Sequence, residues 1–96
     1  MVKIKQQAIK KLAAIFHRNG YIRRFNPKRR AKEKRKYKKG DEVRLVADTY
    51  DELRAIRRLL REAGFAPGRP FRKGKQWRQP VYGRETVARF LELVGE

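Results

Sequence analysis

The residues of this chain with the most evident chemistry are cations. The stretch Lys28–Lys39 reads KRRAKEKRKYKK and holds nine Lys or Arg against one acid. Ammonium and guanidinium groups pair with phosphate oxygens through charge and several hydrogen bonds. Residues 1–40 hold 16 Lys or Arg against one acid, a net +15, whereas residues 41–96 hold 12 against nine, a net +3. We therefore expect a polyanion to bind mainly at one segment, held through its phosphate backbone.

A second basic region, residues 69–82, contains the one tryptophan. Trp77 among cations could stack on a base or sugar, and it could equally pack in the core. We expect Phe71 to pack in the core, and Tyr21 to be a half-buried strand residue. The predicted nucleic-acid-binding residues are Arg23, Arg24, Lys28, Arg29, Arg30, Lys32, Lys34, Arg35, Lys36, Lys38, Lys39, Arg72, Lys73, Lys75, Trp77 and Arg78.

The composition argues against several kinds of site. The chain has no cysteine and only one histidine, His17, so it offers neither a disulfide framework nor a catalytic His triad or multi-His metal site. We predict no catalytic residue, no metal and no cofactor. No apolar run is long enough to span a bilayer, so we expect a cytoplasmic protein without a membrane partner. The absence of serine, with 16 arginines, is compatible with a thermophilic source.

Three segments have the apolar spacing of amphipathic helices. In Lys3–Arg18 the apolar residues lie four apart, at Ile4, Ala8, Leu12 and Phe16, and Gly20 ends the segment. A second helix spans residues 51–63, where Thr49 and Glu52 have capping-box spacing. A third follows Gly83 and buries Val87, Phe90, Leu91 and Val94.

Alternating apolar residues predict strands between these helices. Residues 21–47 read as a hairpin with a basic loop at 26–40, and residues 69–82 read as a second hairpin that turns near Lys73 and Gly74. Pro80 cannot donate to a ladder, so its strand should lie at a sheet edge or bend there. The chain should form one α+β domain, residues 1–96, of αββαββα order.

Four arginines of the second helix form a basic set with two interpretations. We expect Arg54, Arg57, Arg58 and Arg61 to be an outward helix face paired with Asp51, Glu52 and Glu62, in preference to a second binding surface.

A family resemblance follows from this order. The stretch Leu12–Ile22, LAAIFHRNGYI, resembles the LAGLIDADG motif of homing endonucleases and the start of its first strand. Three later parts of the chain are similar to the rest of one such unit: the helix ending in Gly64-Phe65, the segment Trp77–Gly83 and the closing helix with Phe90-Leu91. The resemblance implies a half-saddle sheet with helices on one face. It also implies that basic hairpins at 21–47 and 69–82 grip nucleic acid.

The resemblance further implies helix packing between two units. Ala13 and Ala14 stand where the family places small residues, so a homodimer through the first helix is possible. The family's metal-binding acid before the final glycine is replaced by Asn19, and an earlier acidic position is His17. A neutral amide lacks the charge that a two-metal site requires, so we expect no cleavage activity. Both residues are equally explained as polar residues at a helix end.

The sequence thus predicts a non-catalytic nucleic-acid-binding protein. We favour a small ribosomal protein that binds rRNA, with neighbouring ribosomal proteins as further partners. Dense phosphate-binding charge with few base-reading residues suits folded RNA. Two alternatives stay open. One is a homodimeric homing endonuclease or intron maturase that uses Asp41 or Glu42, and the other is a basic DNA-binding regulator or chromatin protein.

Overall fold

The computed structural model describes residues 2–24 and 41–95, except for the side chains of Val2 and Lys3. The predicted basic loop, 26–40, lies outside the described residues. The α+β class and the αββαββα order are confirmed. In chain order the elements are α1 (Val2–Asn19), β1 (Tyr21–Arg23), β2 (Glu42–Ala47), α2 (Tyr50–Glu62), β3 (Phe71–Lys73), β4 (Gln76–Tyr82) and α3 (Arg84–Val94).

The four strands form one antiparallel sheet in the order β1-β2-β4-β3. Strand alternation puts Val43, Leu45 and Val81 on one face, where each is at most 1% exposed. All three helices contribute to the core on that face, and the ring of Phe90 on α3 meets Phe16 and Phe65 edge to face at 5.5 Å. One face of the sheet is therefore covered by helices.

The first helix follows its predicted stripe except at its start. Ala8, Leu12 and Phe16 are buried, but Ile4 is 54% exposed, so its assignment to the buried face was wrong. The first turn of the helix has no core beside it. Gly20 ends α1 without a left-handed backbone. A Cβ at Gly20 would lie 2.8 Å from Cδ1 of Phe16, so close approach is the reason for glycine at this position.

The start of α2 is capped as its spacing predicts, with one difference. The Thr49 hydroxyl accepts a hydrogen bond from the Glu52 amide at 3.0 Å. The Glu52 carboxylate accepts from the Asp48 amide at 2.7 Å, one residue before the position that a capping box uses. The helix ends before Gly64, which has a left-handed backbone with φ of 91°.

Pro80 lies in β4, which is an interior strand, so its predicted place at a sheet edge was wrong for the strand as a whole. At Pro80 itself, however, β4 has no neighbouring strand on one side, because β3 pairs with Gln76–Arg78 only. The Pro80 carbonyl accepts from the Gly68 amide at 2.9 Å, on the side away from β2. Since the N and C=O of a strand residue point the same way, the missing N–H removes no bond to β2.

Candidate nucleic-acid interface

Within residues 2–24 and 41–95, no helix packs on the second face of the sheet, which collects most of the basic side chains of the strands. Registers Tyr21↔Arg44 and Phe71↔Arg78 place these four residues on the same side, opposite Val43 and Leu45. We call this side the helix-free face. Its residues are Tyr21, Arg23, Glu42, Arg44, Val46, Phe71, Lys73, Gln76, Arg78, Pro80 and Tyr82.

At the centre of the helix-free face, arginines and aromatic rings contact one another. The Arg44 guanidinium carbon lies 4.9 Å from the Phe71 ring centroid, and that of Arg78 lies 5.9 Å from the Tyr21 ring centroid. Arg78 Nε also donates to the Tyr21 hydroxyl at 3.3 Å. We name Tyr21, Arg44, Phe71 and Arg78 the aromatic–arginine cluster. Planar cations and rings of this kind can stack on bases and pair with phosphates.

The hydroxyl of Tyr21 is influenced by two guanidinium groups. Partial burial would raise the pKa of Tyr21, but hydrogen bonds from Arg44 and Arg78, together with their positive charges, lower it overall. Burial opposes the charge of Arg44, yet its hydrogen bonds to Tyr21 and Glu42 raise its pKa. Arg44 Nε lies 2.6 Å from the Glu42 carboxylate oxygen that accepts its hydrogen bond. Among the described residues, Glu42 is the one carboxylate on the helix-free face, against Arg23, Arg44, Lys73 and Arg78.

We expect Tyr21 to ionise at lower pH than an ordinary tyrosine, whose pKa is about 10. Because the folded pKa is depressed, the native state binds fewer protons than the unfolded state. The free energy of unfolding should therefore gain a contribution as pH rises through the folded pKa toward 10, and this contribution should be absent at neutral pH. Ultraviolet phenolate titration of the protein and of Tyr21→Phe measures it. Equal phenolate titration curves below pH 10 for the protein and for Tyr21→Phe would contradict the contact of Tyr21 with Arg44 and Arg78.

The two hairpin ends lie at opposite ends of the sheet. At one end, Arg23 is the last residue of β1 and pairs with Glu42, and Arg24 Nη1 lies 3.2 Å from the Asp41 carboxylate. The sequence between Arg24 and Asp41 contains the predicted basic loop, 26–40, which lies outside the described residues. At the other end of the sheet, the turn at Gly74-Lys75 joins β3 to β4. The aromatic–arginine cluster lies between the two ends.

The structure divides the predicted site residues among three places. Arg23, Lys73 and Arg78 lie on the helix-free face, and exposed Arg24 and Lys75 lie beside its two ends. Arg72 and Trp77 lie on the helix-covered side. Predicted residues outside the described part of the chain are Lys28, Arg29, Arg30, Lys32, Lys34, Arg35, Lys36, Lys38 and Lys39.

Trp77 packs against the hydrophobic core and is only partly exposed. Its ring meets Tyr50 of α2 edge-on at 5.7 Å, and the Arg72 guanidinium lies over it at 5.3 Å. The cause is the register, since Trp77 pairs with Ala47, whose side chain faces the helices. Of the two interpretations that the sequence left open, this placement favours core packing.

The sequence interpretation missed part of the aromatic–arginine cluster. Phe71 was expected in the core, which is wrong, because it pairs with Arg78 and contacts Arg44 on the helix-free face. Arg44 was not singled out at all. Alternation within β2 would have found it, because Val43 and Leu45 point inward and leave Arg44 on the other side. The strand position of Tyr21, half-buried as expected, then follows from pairing with Arg44.

The other predicted features lie at the end of α1. His17 Nε2 is 3.3 Å from the Val94 carbonyl oxygen of α3, so its position there ties two helices together. Ala13 packs partly against the core, and Ala14 is exposed. Within residues 2–24 and 41–95, no three His, Asp or Glu side chains lie close enough to hold a metal ion. Over the same ranges, no helix is long and apolar enough to cross a bilayer.

Comparison with known proteins identifies no relative of this chain. No family model, curated protein or solved structure matches the chain. Functional inference therefore depends on the side chains and their arrangement.

Proposed function

We propose that this protein is a non-catalytic nucleic-acid-binding protein that holds folded RNA against its helix-free face, as a structural component of the ribosome. The observation that carries the proposal is the aromatic–arginine cluster, which lies between two basic hairpin ends. Four cations against one carboxylate make this face attractive to phosphates, and the rings beside the guanidinium groups offer surfaces for bases.

The order of elements supports a LAGLIDADG-like scaffold as part of this proposal. In that family the sheet face without helices lies on nucleic acid, and the two hairpins grip it. By this resemblance, Asn19 stands at the position of the family's metal-binding acid, and His17 stands at an earlier acidic position. The nearest acids in sequence, Asp41 and Glu42, are ion-paired with Arg24 and Arg44. A binding role without cleavage fits these residues better than a nuclease does.

RNA is favoured over DNA because the cations of the helix-free face are not free to reach base edges. Reading DNA sequence usually requires side chains that reach base edges in the major groove from a helix or ribbon. Here the Arg44 and Arg78 side chains are held against Phe71, Tyr21 and Glu42 on the helix-free face. Such a surface suits backbone and splayed bases of folded RNA.

We expect the native protein to co-sediment with one ribosomal subunit when a cell lysate is fractionated on a sucrose gradient. The double variant Arg23→Gln/Lys73→Gln should leave the subunit at lower salt, because it removes two cations of the helix-free face. The slope of log affinity against log salt should become shallower by about two. Recovery of the native protein only at the top of the gradient would contradict the ribosomal role.

A matched control is Lys10→Gln/Arg84→Gln, which removes two exposed cations from α1 and α3. Its charge change is the same, but these side chains do not lie on the helix-free face. It should stay with the subunit at the salt concentration that releases the first variant. Equal release of both variants would mean that net charge, and not the helix-free face, governs binding.

A further inference from the structure

The outward side of α2 carries a second basic surface that the helix-free face does not explain. Arg54, Arg58 and Arg61 recur three and four residues apart, so they share one stripe of the helix. All three are exposed. The buried residues Leu53 and Ile56 lie on the opposite side of the helix and pack into the core.

Of the three acids expected to neutralise these arginines, Glu62 pairs with one of them and Glu52 is engaged elsewhere. Arg58 Nε lies 3.8 Å from Glu62, but Glu52 pairs with Arg18 of α1 at 3.2 Å. Among residues 2–24 and 41–95, the side chains of Arg54 and Arg61 have neither an ion pair nor a hydrogen bond. The expected outward face of paired charges is therefore confirmed for one arginine only.

Arg57 differs from the other three because it is anchored inward. Its Nη1 donates to the Gln79 side-chain oxygen at 2.7 Å and to the Gly68 carbonyl at 2.9 Å. Gln79 is 0% exposed, and its amide nitrogen donates to the carbonyls of Gly68 and Pro80 at 2.8 Å. This network holds the chain before β3 beside α2, so the groove between them has a fixed wall.

That groove has a volume of about 670 Å³, and its lining includes four cations, one acid and several apolar residues: Arg54, Arg57, Arg58, Arg61, Asp51, Tyr50, Leu53, Ala55 and Pro70. We call it the arginine groove. Tyr50 is 58% exposed at its end, an aromatic ring beside a row of cations. Because α2 packs on the helix-covered side of the sheet, the arginine groove and the helix-free face point in opposite directions.

We infer that the arginine groove binds the phosphate backbone of a second nucleic-acid segment, so that one molecule bridges two segments of RNA. The inference rests on the proposed function for the first segment. Charge complementarity selects the occupant: unpaired guanidinium groups in a row match a run of phosphates, and exposed Tyr50 can stack at its end. Two basic surfaces on opposite sides cannot bind the same stretch of a short duplex.

The test uses two short RNA duplexes, one biotinylated on beads and one fluorescent in solution. Wild-type protein should retain the fluorescent duplex on the beads. The triple variant Arg54→Gln/Arg58→Gln/Arg61→Gln should still bind the bead duplex but retain the fluorescent one at least about tenfold less well. Glutamine is a good helix former, and an unchanged melting temperature verifies that α2 is intact. The matched control Lys5→Gln/Lys10→Gln/Arg84→Gln should bridge like wild type.

The outcomes separate this inference from the proposed function. Protein on the beads without the fluorescent duplex would overturn bridging and leave the helix-free face as the RNA surface. Protein that does not bind the beads would overturn the proposed function and the bridging with it. A triple variant that bridges as well as wild type, as a self-associated protein would, overturns the arginine groove as the second site. Release of the fluorescent duplex by polyglutamate more readily than by competitor RNA would assign the groove to an acidic protein instead.

Discussion

Binding of RNA by this protein is expected to weaken by about 10³–10⁵-fold when salt rises from roughly 50 to 200 mM. This range corresponds to neutralisation of roughly six to ten phosphates, each of which releases condensed counterions. The reason is the charge distribution, since residues 1–40, which include Arg23 of the helix-free face, carry a net +15, and that face adds Arg44, Lys73 and Arg78 against Glu42. Fluorescence anisotropy with a labelled RNA at several salt concentrations measures the slope. A nearly flat plot would contradict binding through phosphates.

A loop variant separates the contribution of the basic segment from that of the sheet. Lys34, Arg35, Lys36, Lys38 and Lys39 carry no core stripe in the sequence, so their replacement by alanine should leave the melting temperature unchanged. Affinity for every nucleic acid should fall, and the salt slope should become shallower. A loop variant that binds as tightly as the parent would show that the segment lies outside the binding surface.

Truncation of Trp77 to alanine is expected to lower the free energy of unfolding by about 3 kcal/mol, near the lower end of the cost for a buried tryptophan. The ring packs against the core and Tyr50, and it supports the Arg72 guanidinium. For a domain of this size the melting temperature should fall by more than about 10 °C. Thermal unfolding followed by circular dichroism measures this change.

The same variant should bind RNA with nearly unchanged affinity at a temperature where it is folded, because Trp77 does not lie on the helix-free face. Trp77→Phe keeps an aromatic ring beside Tyr50 and should lose less stability. If Trp77 instead stacks on a base, its loss should cost about 1–3 kcal/mol of binding with little change in melting temperature. That pattern would move the interface to the other side of the β3–β4 hairpin.

Local signals in the sequence were sufficient to predict the elements of the fold. Helical spacing at Ala8, Leu12 and Phe16, the Thr49 cap and the glycines after α2 and α3 are short-range features, and each is present in the structure. Alternation in β2 and the turn near Gly74 likewise depend on neighbours only. Ile4 is the exception, because exposure of the first turn depends on where the other helices end.

The candidate site was harder to predict because it depends on pairing between distant strands. Whether Phe71 faces the core or the arginines is decided by its register with Arg78, which a single strand of three residues does not reveal. The inward anchoring of Arg57 depends on Gln79, 22 residues away in sequence. Charge alone predicted a basic surface, but it could not distinguish cations held by partners from cations free to bind phosphate.

The margins of the sheet limit how this protein can associate. Each outer strand has three residues, and in each inner strand one carbonyl beyond the end of its outer neighbour accepts a hydrogen bond from another group. Arg18 donates to the Val46 carbonyl at 3.2 Å beyond β1, and the Gly68 amide occupies the Pro80 carbonyl beyond β3. Exposed strand margins invite strand addition and fibre growth. Short outer strands and occupied carbonyls leave neighbouring molecules on a polyanion little free backbone with which to extend each other's sheets. A densely coated RNA should therefore carry separate folded proteins and not a continuous β-ribbon.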